Sequence, residues 1–99
     1  MPIVRFAPAA EEEIRAIASY IRDGNPFAAE QWVIELEQKC RNIAKHPRIG
    51  RRRDDVLDGL HCFPFGKYLI FYDIASDGIE VVHVIHGARD IERALGILE

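Results

Sequence analysis

Three side chains near the C-terminus, His83, His86 and Arg89, are of the types that carry out acid–base chemistry. They lie in the segment VVHVIHGARD, where an apolar run with two histidines ends at Gly87. An imidazole can accept or donate a proton near neutral pH, and a guanidinium can stabilise extra charge on a phosphate. Residues three apart in a strand point to opposite faces, so at most one of the two histidines can join any one site. The pattern leaves two alternatives open, an acid–base set or the framework of a binding surface.

The surroundings of these residues also allow purely structural roles. His83 stands among aliphatic residues, which favours a buried or half-buried histidine with a satisfied hydrogen bond. His86 can fix the turn that follows it by hydrogen bonds, and Arg89 can either pair with an acid or face a partner. Asp90 is predicted to cap the helix that follows.

The N-terminal half of the chain predicts a strand followed by a helical hairpin. The segment IVRF (3–6) alternates between prolines, and apolar residues at helical spacing follow from Ile14 to Ile21. Gly24 is a predicted helix stop, Asn25 a helix cap and Pro26 the start of a second helix, which extends to about residue 46. Because the connection is so short, the two helices must be antiparallel.

Three strand candidates occupy the C-terminal half: LHCF (60–63), KYLIFYDI (67–74) and IEVVHVIH (79–86). The turn signals PFG and ASDG between them favour an antiparallel meander. The predicted fold is α+β: a short N-terminal strand, then an antiparallel helical hairpin packed on a small antiparallel sheet (β-α-α-β-β-β), then a short C-terminal helix. A single domain covers residues 1–99.

Both faces of the predicted sheet are largely apolar. Strict alternation places Ile79, Val81, His83 and Ile85 on one face of the last strand, with Val82 and Val84 on the other. The helical hairpin can cover only one face of the sheet, and the C-terminal helix is too small to cover the second. We therefore expect part of the second face to be an exposed patch for a partner, formed by Leu69, Phe71, Val82 and Val84.

The composition is that of an ordinary globular domain with one basic segment. The 99 residues are 48% apolar and 29% charged, with a net charge of −3. No apolar run reaches the roughly 20 residues of a membrane span, so we expect a cytoplasmic protein that does not bind membranes. Residues 41–53 carry six basic and no acidic side chains, which makes the arginine triplet Arg51–Arg53 the first candidate for contact with an acidic partner or nucleic acid. Cys40 and Cys62 lack the spacing of zinc ligands and are predicted to be core or near-surface thiols.

Three motifs, HPRIGR (46–51), YLIFY (68–72) and HGARD (86–90), resemble the ParE branch of the RelE/ParE toxin superfamily, and so does the order of the elements. The match spans nearly the whole chain. The resemblance implies the toxin of a bacterial type II toxin–antitoxin system that uses no cofactor and no metal. It also implies a toxin–antitoxin hetero-oligomer, in which a cognate antitoxin folds onto the exposed patch of Leu69, Phe71, Val82 and Val84.

Two chemistries occur in this superfamily. RelE-like members cleave mRNA on the ribosome, whereas ParE-like members inhibit DNA gyrase without being nucleases. RelE-like cleavage uses basic residues on the first two meander strands, an arginine after the last strand and a tyrosine further on. The corresponding residues here are His61, Leu69, Arg89 and Leu95. Since only one cation of that set remains, the resemblance favours a protein that is not an enzyme and that inhibits gyrase by binding it.

The predicted target contacts are Arg51, Arg52, Arg53, His61 and Arg89. Two alternatives remain open. A ribosome-dependent mRNA endoribonuclease would use His61, His86 and Arg89 as its catalytic set. An attenuated toxin would bind its antitoxin and no longer inhibit any target.

Overall fold

The computed structural model describes residues 1–89 and 91–96, the side chain of Glu92 excepted. Its elements are, in chain order, β1 (Ile3–Phe6), α1 (Pro8–Gly24), α2 (Pro26–Lys45), β2 (Arg51–Arg52), β3 (Leu60–Phe65), β4 (Tyr68–Ala75), β5 (Gly78–His86) and α3 (Ile91–Ala94). One turn of 3-10 helix, Pro47–Ile49, connects α2 to β2. The predicted α+β fold is confirmed. Asp90, the predicted cap of the last helix, lies outside the described residues.

The helical hairpin has its connection at the predicted helix-stop and helix-cap residues. Gly24 ends α1, and the side chain of Asn25 accepts a hydrogen bond of 3.1 Å from the backbone N–H of Ala28, which caps α2. Pro26 occupies the first position of α2, where no N–H is needed. The apolar stripes of both helices then pack on one face of the sheet.

The sheet has the strand order β1-β5-β4-β3-β2. The meander β3–β4–β5 is antiparallel as predicted, but β1 pairs in parallel with β5, so that the first and last strands are neighbours. The backbones meet closely there, because a Cβ on Gly78 would lie 1.8 Å from the carbonyl oxygen of Ile3. The two-residue strand β2, which the sequence does not predict, adds part of the arginine triplet to the opposite edge.

A β-bulge in β5 overturns the predicted alternation of that strand. Phe71 is opposite His83 and Tyr72 is opposite Val81, which leaves Val82 as an extra residue. Beyond the bulge, each residue of β5 points to the face opposite to the one that strict alternation predicts. Val84 therefore packs with the core on the helix side of the sheet, as Val81 does, and Ile85 packs on the other side.

The second face of the sheet is covered, contrary to the expected open patch. A second core forms there from Val56, Leu60, Cys62, Phe71 and Ile85, and Leu69, Val82, Ile91, Ala94 and Leu95 pack against it. The loop 53–59 supplies Val56 and α3 supplies Ile91, which is why the cover is larger than the length of α3 suggests. Phe71 is 0% exposed within this second core, and Val84 is 1% exposed within the helix-side core. Neither residue can therefore form an exposed patch with Leu69 and Val82.

Both cysteines are buried thiols, as predicted. Cys40 lies in the helix-side core, where burial raises its pKa to about 12. Cys62 lies in the second core, and burial raises the pKa of its thiol as well. In the described part of the chain, no helix combines the length and apolar character needed to cross a membrane.

Candidate functional site

The hydroxyl of Tyr72 joins the middle of the sheet to the turn that precedes β2. It donates a hydrogen bond of 2.7 Å to the carbonyl oxygen of Pro47 and accepts one of 3.0 Å from the N–H of Gly50. A Cβ on Gly50 would lie 2.2 Å from the same hydroxyl oxygen, so only glycine fits. Burial raises the pKa of Tyr72, while the bond from Gly50 acts in the opposite direction. The HPRIGR and YLIFY motifs thus meet at one contact.

The arginine triplet is divided between the two faces of the sheet. Arg51 is opposite Cys62, whose side chain is in the second core, and Arg52 is opposite His61. Residues directly opposite each other share a face, and neighbours in a strand point to opposite faces. Arg51 and Arg52 therefore cannot belong to one flat patch.

Aspartates of the loop 53–59 hold two of the three guanidinium groups. Arg52 Nε lies 2.8 Å from Asp54 Oδ2, and Arg53 donates two hydrogen bonds of 3.1 Å to Asp55. The N–H of Gly59 and the Arg52 guanidinium lower the pKa of Asp54, and Arg53 lowers that of Asp55. Arg51 is exposed and makes no ion pair within the described residues.

His61 is buried next to Tyr72 and does not lie on the surface. It is 6% exposed, its Nδ1 lies 3.0 Å from the carbonyl oxygen of Gly59, and its ring centroid lies 5.6 Å from that of Tyr72. A carbonyl oxygen can only accept, so Nδ1 is the donor in this contact. The ring therefore presents little surface to a partner.

Glu13 of α1 occupies the free edge of β5 at the other end of the sheet. Strand β1 ends at Phe6, and the edge of β5 beyond Val81 has no strand partner in the described part of the chain. Glu13 Oε1 accepts a hydrogen bond of 3.0 Å from the N–H of Val84, and Oε2 lies 3.0 Å from His83 Nδ1. His83 is thus a half-buried histidine whose ring nitrogen is satisfied by a carboxylate.

His86 and Arg89 come together near this edge. Together with Glu13 they line a cavity of about 180 Å³, whose remaining lining is Ala16, Ile17, Val84 and Ile85. His86 Nδ1 accepts a hydrogen bond of 3.1 Å from the N–H of Ala88, so His86 fixes the turn after β5. The cavity therefore has a mainly aliphatic lining and three ionisable groups.

His61 does not join His86 and Arg89. On β4, Tyr72 is opposite His61 and Tyr68 is opposite His86, so that the two histidines are four residues apart along the sheet and two strands apart across it. Strand geometry converts this offset into roughly 16 Å. Of the predicted catalytic set the structure brings together His86 and Arg89 and separates His61.

Several residues of the site were not identified from the sequence. Glu13 is the last of three consecutive glutamates at the start of α1, and Tyr72 belongs to the YLIFY motif, but neither pattern indicates the contact that the side chain makes. Arg48, which is exposed in the turn before β2, could have been noted as part of HPRIGR. Among the described residues, no group of three or more His, Cys, Asp and Glu side chains could hold a metal ion.

Comparison with known proteins gives consistent results. Residues 4–91 match the family model described as the ParE toxin of the type II toxin–antitoxin system parDE. Toxin ParE1 of Mycobacterium tuberculosis is 35% identical over 93 residues, which cover 91% of this chain and 94% of the relative. Toxin RelE2 of Caulobacter vibrioides is 30% identical over 77 residues, 78% of this chain and 85% of that toxin.

A solved structure supports the same fold. A chain of the chromosomal ParDE toxin–antitoxin system from P. aeruginosa superimposes with a TM-score of 0.73 at 12% identity, covering 87% of this chain and 96% of that one. At that identity the likeness concerns the fold alone, and the family assignment rests on the matched residues 4–91 and on the 35% identical relative. This chain belongs to the ParE toxin family of type II toxin–antitoxin systems.

Proposed function

We propose that this ParE-family toxin acts by binding and inhibiting DNA gyrase, and that a cognate antitoxin neutralises it by folding onto it. The supporting observation is the roughly 16 Å that the strand register places between His61 and the pair His86–Arg89. Cleavage of RNA requires a base, an acid and a cation within hydrogen-bond reach of one phosphate. The two groups are too far apart to act on the same phosphate, which favours binding as the mode of action.

The basic edge around β2 is the surface on which target contact is proposed. Arg48 and Arg51 are exposed, and the side chain of Arg52 is 69% exposed although it pairs with Asp54. Since Arg51 and Arg52 lie on opposite faces, a partner that contacts both must extend around this edge of the sheet. Such a contact would be strongly dependent on salt, because exposed charges are screened by ions.

We assign the antitoxin-binding surface to the helical hairpin and not to the second face of the sheet. The second face of the sheet is already covered, whereas Tyr20, Phe27 and Ile34 on α1 and α2 are 78%, 69% and 51% exposed. A cavity of about 210 Å³ also opens between the helices and β1, and its lining combines apolar side chains such as Phe6 and Val33 with the charged residues Glu11, Arg15 and Glu37. An amphipathic antitoxin segment could bury these side chains, as helix-in-groove complexes do.

Inhibition of DNA supercoiling by purified gyrase tests the target. We expect the wild-type toxin to inhibit the reaction, and Arg51→Ser to weaken inhibition about tenfold, as loss of one interfacial charge does. Arg22→Ser, which removes an exposed arginine from the last turn of α1, is the control. If the wild-type toxin does not inhibit the supercoiling reaction of purified gyrase, the proposal that gyrase is its target is excluded.

One feature supports the alternative function as a ribonuclease: His86, Arg89 and Glu13 line the same cavity. Glu13 already accepts bonds from Val84 and His83, which opposes its use as a base. Immediate arrest of translation with cleaved transcripts after induction would support this alternative. Filamentation with reduced supercoiling supports gyrase, and unaffected growth supports an attenuated toxin that binds only its antitoxin.

A further inference from the structure

The turn that carries Arg48 toward β2 is closed through a side chain of the sheet. In an ordinary turn of this type, the carbonyl of the first residue accepts directly from the N–H of the fourth. Here those groups belong to Pro47 and Gly50, and the hydroxyl of Tyr72 lies between them, donating to the first and accepting from the second. The hydroxyl thus takes the place of the hydrogen bond that would close the turn.

This insertion fixes where the chain leaves the turn. The ring of Tyr72 is 0% exposed and belongs to the helix-side core, so the hydroxyl has a defined position. Gly50 approaches it too closely for any Cβ, and Arg51 begins β2 at the next residue. Within the described residues, Tyr72 is the one sheet side chain that hydrogen-bonds to residues 47–50.

We propose that the Tyr72 hydroxyl is a positioning group that holds Arg48 and Arg51 in the arrangement required by the target. The inference rests on the proposed function, since it assigns target contact to this edge. Without the hydroxyl, the N–H of Gly50 can donate directly to Pro47, which draws Gly50 toward Pro47 and changes the direction of Arg51. The buried ring and the rest of the core need no rearrangement, so we expect the fold to be retained and the main defect to concern target contact.

The test uses Tyr72→Phe, with Tyr68→Phe as the matched control. Tyr68 lies on the same strand and packs its ring against Trp32 and His86, and no hydrogen bond of its hydroxyl is found among the described residues. For Tyr72→Phe we expect about tenfold weaker binding to purified gyrase, retained association with the antitoxin, and changed amide resonances of Gly50 and Arg51. Tyr68→Phe should leave all three unchanged.

A double-mutant cycle with Arg51→Ser separates positioning from general destabilisation. If the hydroxyl acts in part through Arg51, the two substitutions together weaken gyrase binding clearly less than the product of their separate effects. Full additivity, or wild-type affinity of Tyr72→Phe, overturns the inference. A wild-type toxin that does not bind gyrase at all instead overturns the proposed function, so the two failures are distinguishable.

Discussion

The two ends of the sheet satisfy their polar groups in different ways. At the β2 edge a neutral hydroxyl, that of Tyr72, joins two backbone groups, and aspartates of a local loop hold Arg52 and Arg53. At the β5 edge one charged residue from a covering helix, Glu13, satisfies both a backbone N–H and a histidine. The first arrangement leaves arginines on the surface, whereas the second substitutes for a missing strand. A carboxylate beside a histidine is therefore not in itself a catalytic pair.

A side chain forced against the Tyr72 hydroxyl at Gly50 should have the largest effect on stability. We expect Gly50→Ala to lower the free energy of unfolding by about 3 kcal/mol, because the new methyl group overlaps a buried hydroxyl and disrupts both of its hydrogen bonds. Urea unfolding measures the change. Gly24→Ala is the control, since nothing lies within 4 Å of the added Cβ there. Equal stability of the two variants would show that the turn adjusts freely.

Removing the carboxylate at the β5 edge should have the next largest effect. We expect Glu13→Ala to destabilise the fold by about 2 kcal/mol, because the N–H of Val84 loses its acceptor and His83 loses its partner. Glu13→Gln keeps an oxygen for Val84 and should cost about half as much. Thermal unfolding compares both with Glu12→Ala, whose side chain is exposed. If Glu13→Ala matches Glu12→Ala, the edge does not need this acceptor.

The β2 edge should become less stable in acid through Asp54. The folded pKa of this carboxyl is lowered by the N–H of Gly59 and by Arg52, so its contribution is present above the unfolded pKa and is lost as pH falls through the folded pKa. Asp54→Asn should therefore be less stable than wild type at neutral pH, and the difference should shrink as the pH falls below the ordinary range of a carboxyl group. Melting temperatures across this range measure the difference, with Asp58→Asn in the same loop as the control. A constant difference at all pH values would contradict the assignment.

The smallest effect is expected at His86. This residue is exposed and accepts one hydrogen bond from Ala88, so His86→Gln should change stability by less than about 1 kcal/mol and leave toxicity intact. Induction of the variant in growing cells measures toxicity, and circular dichroism checks the fold. A folded but inactive His86→Gln protein would show that toxicity depends on the cavity at the β5 edge and not on the β2 edge alone.

Local patterns predicted the parts of the fold that depend on neighbouring residues. Asn25 and Pro26 mark the hairpin, and the turns around Gly66 and Ser76 mark the meander, because caps and turns are set within a few residues. The bulge at Val82 was missed, since aliphatic residues on both sides hide the change of face. The parallel pairing of β1 with β5 joins residues 75 positions apart, such as Ile3 and Gly78, and no local signal records it.

The candidate site was predicted to a similar extent. His86 and Arg89 lie together because only two residues separate them in the sequence, and the exposure of Arg51 follows from its place in a basic segment. The separation of His61 depends on the register of three strands, which the sequence alone does not supply. The roles of Glu13 and Tyr72 depend on contacts across 71 and 25 positions, which explains why both were missed.

The adjacency of the first and last strands has a consequence for biosynthesis. While the ribosome is still translating residues 78–86, β1 has no neighbour to pair with, and neither face of the sheet can be completed. Pairings between distant parts of a chain also form late in folding. A nascent or prematurely terminated polypeptide that lacks residues 78–86 therefore cannot complete the sheet, and the folded domain can form only after nearly the whole chain has been synthesised.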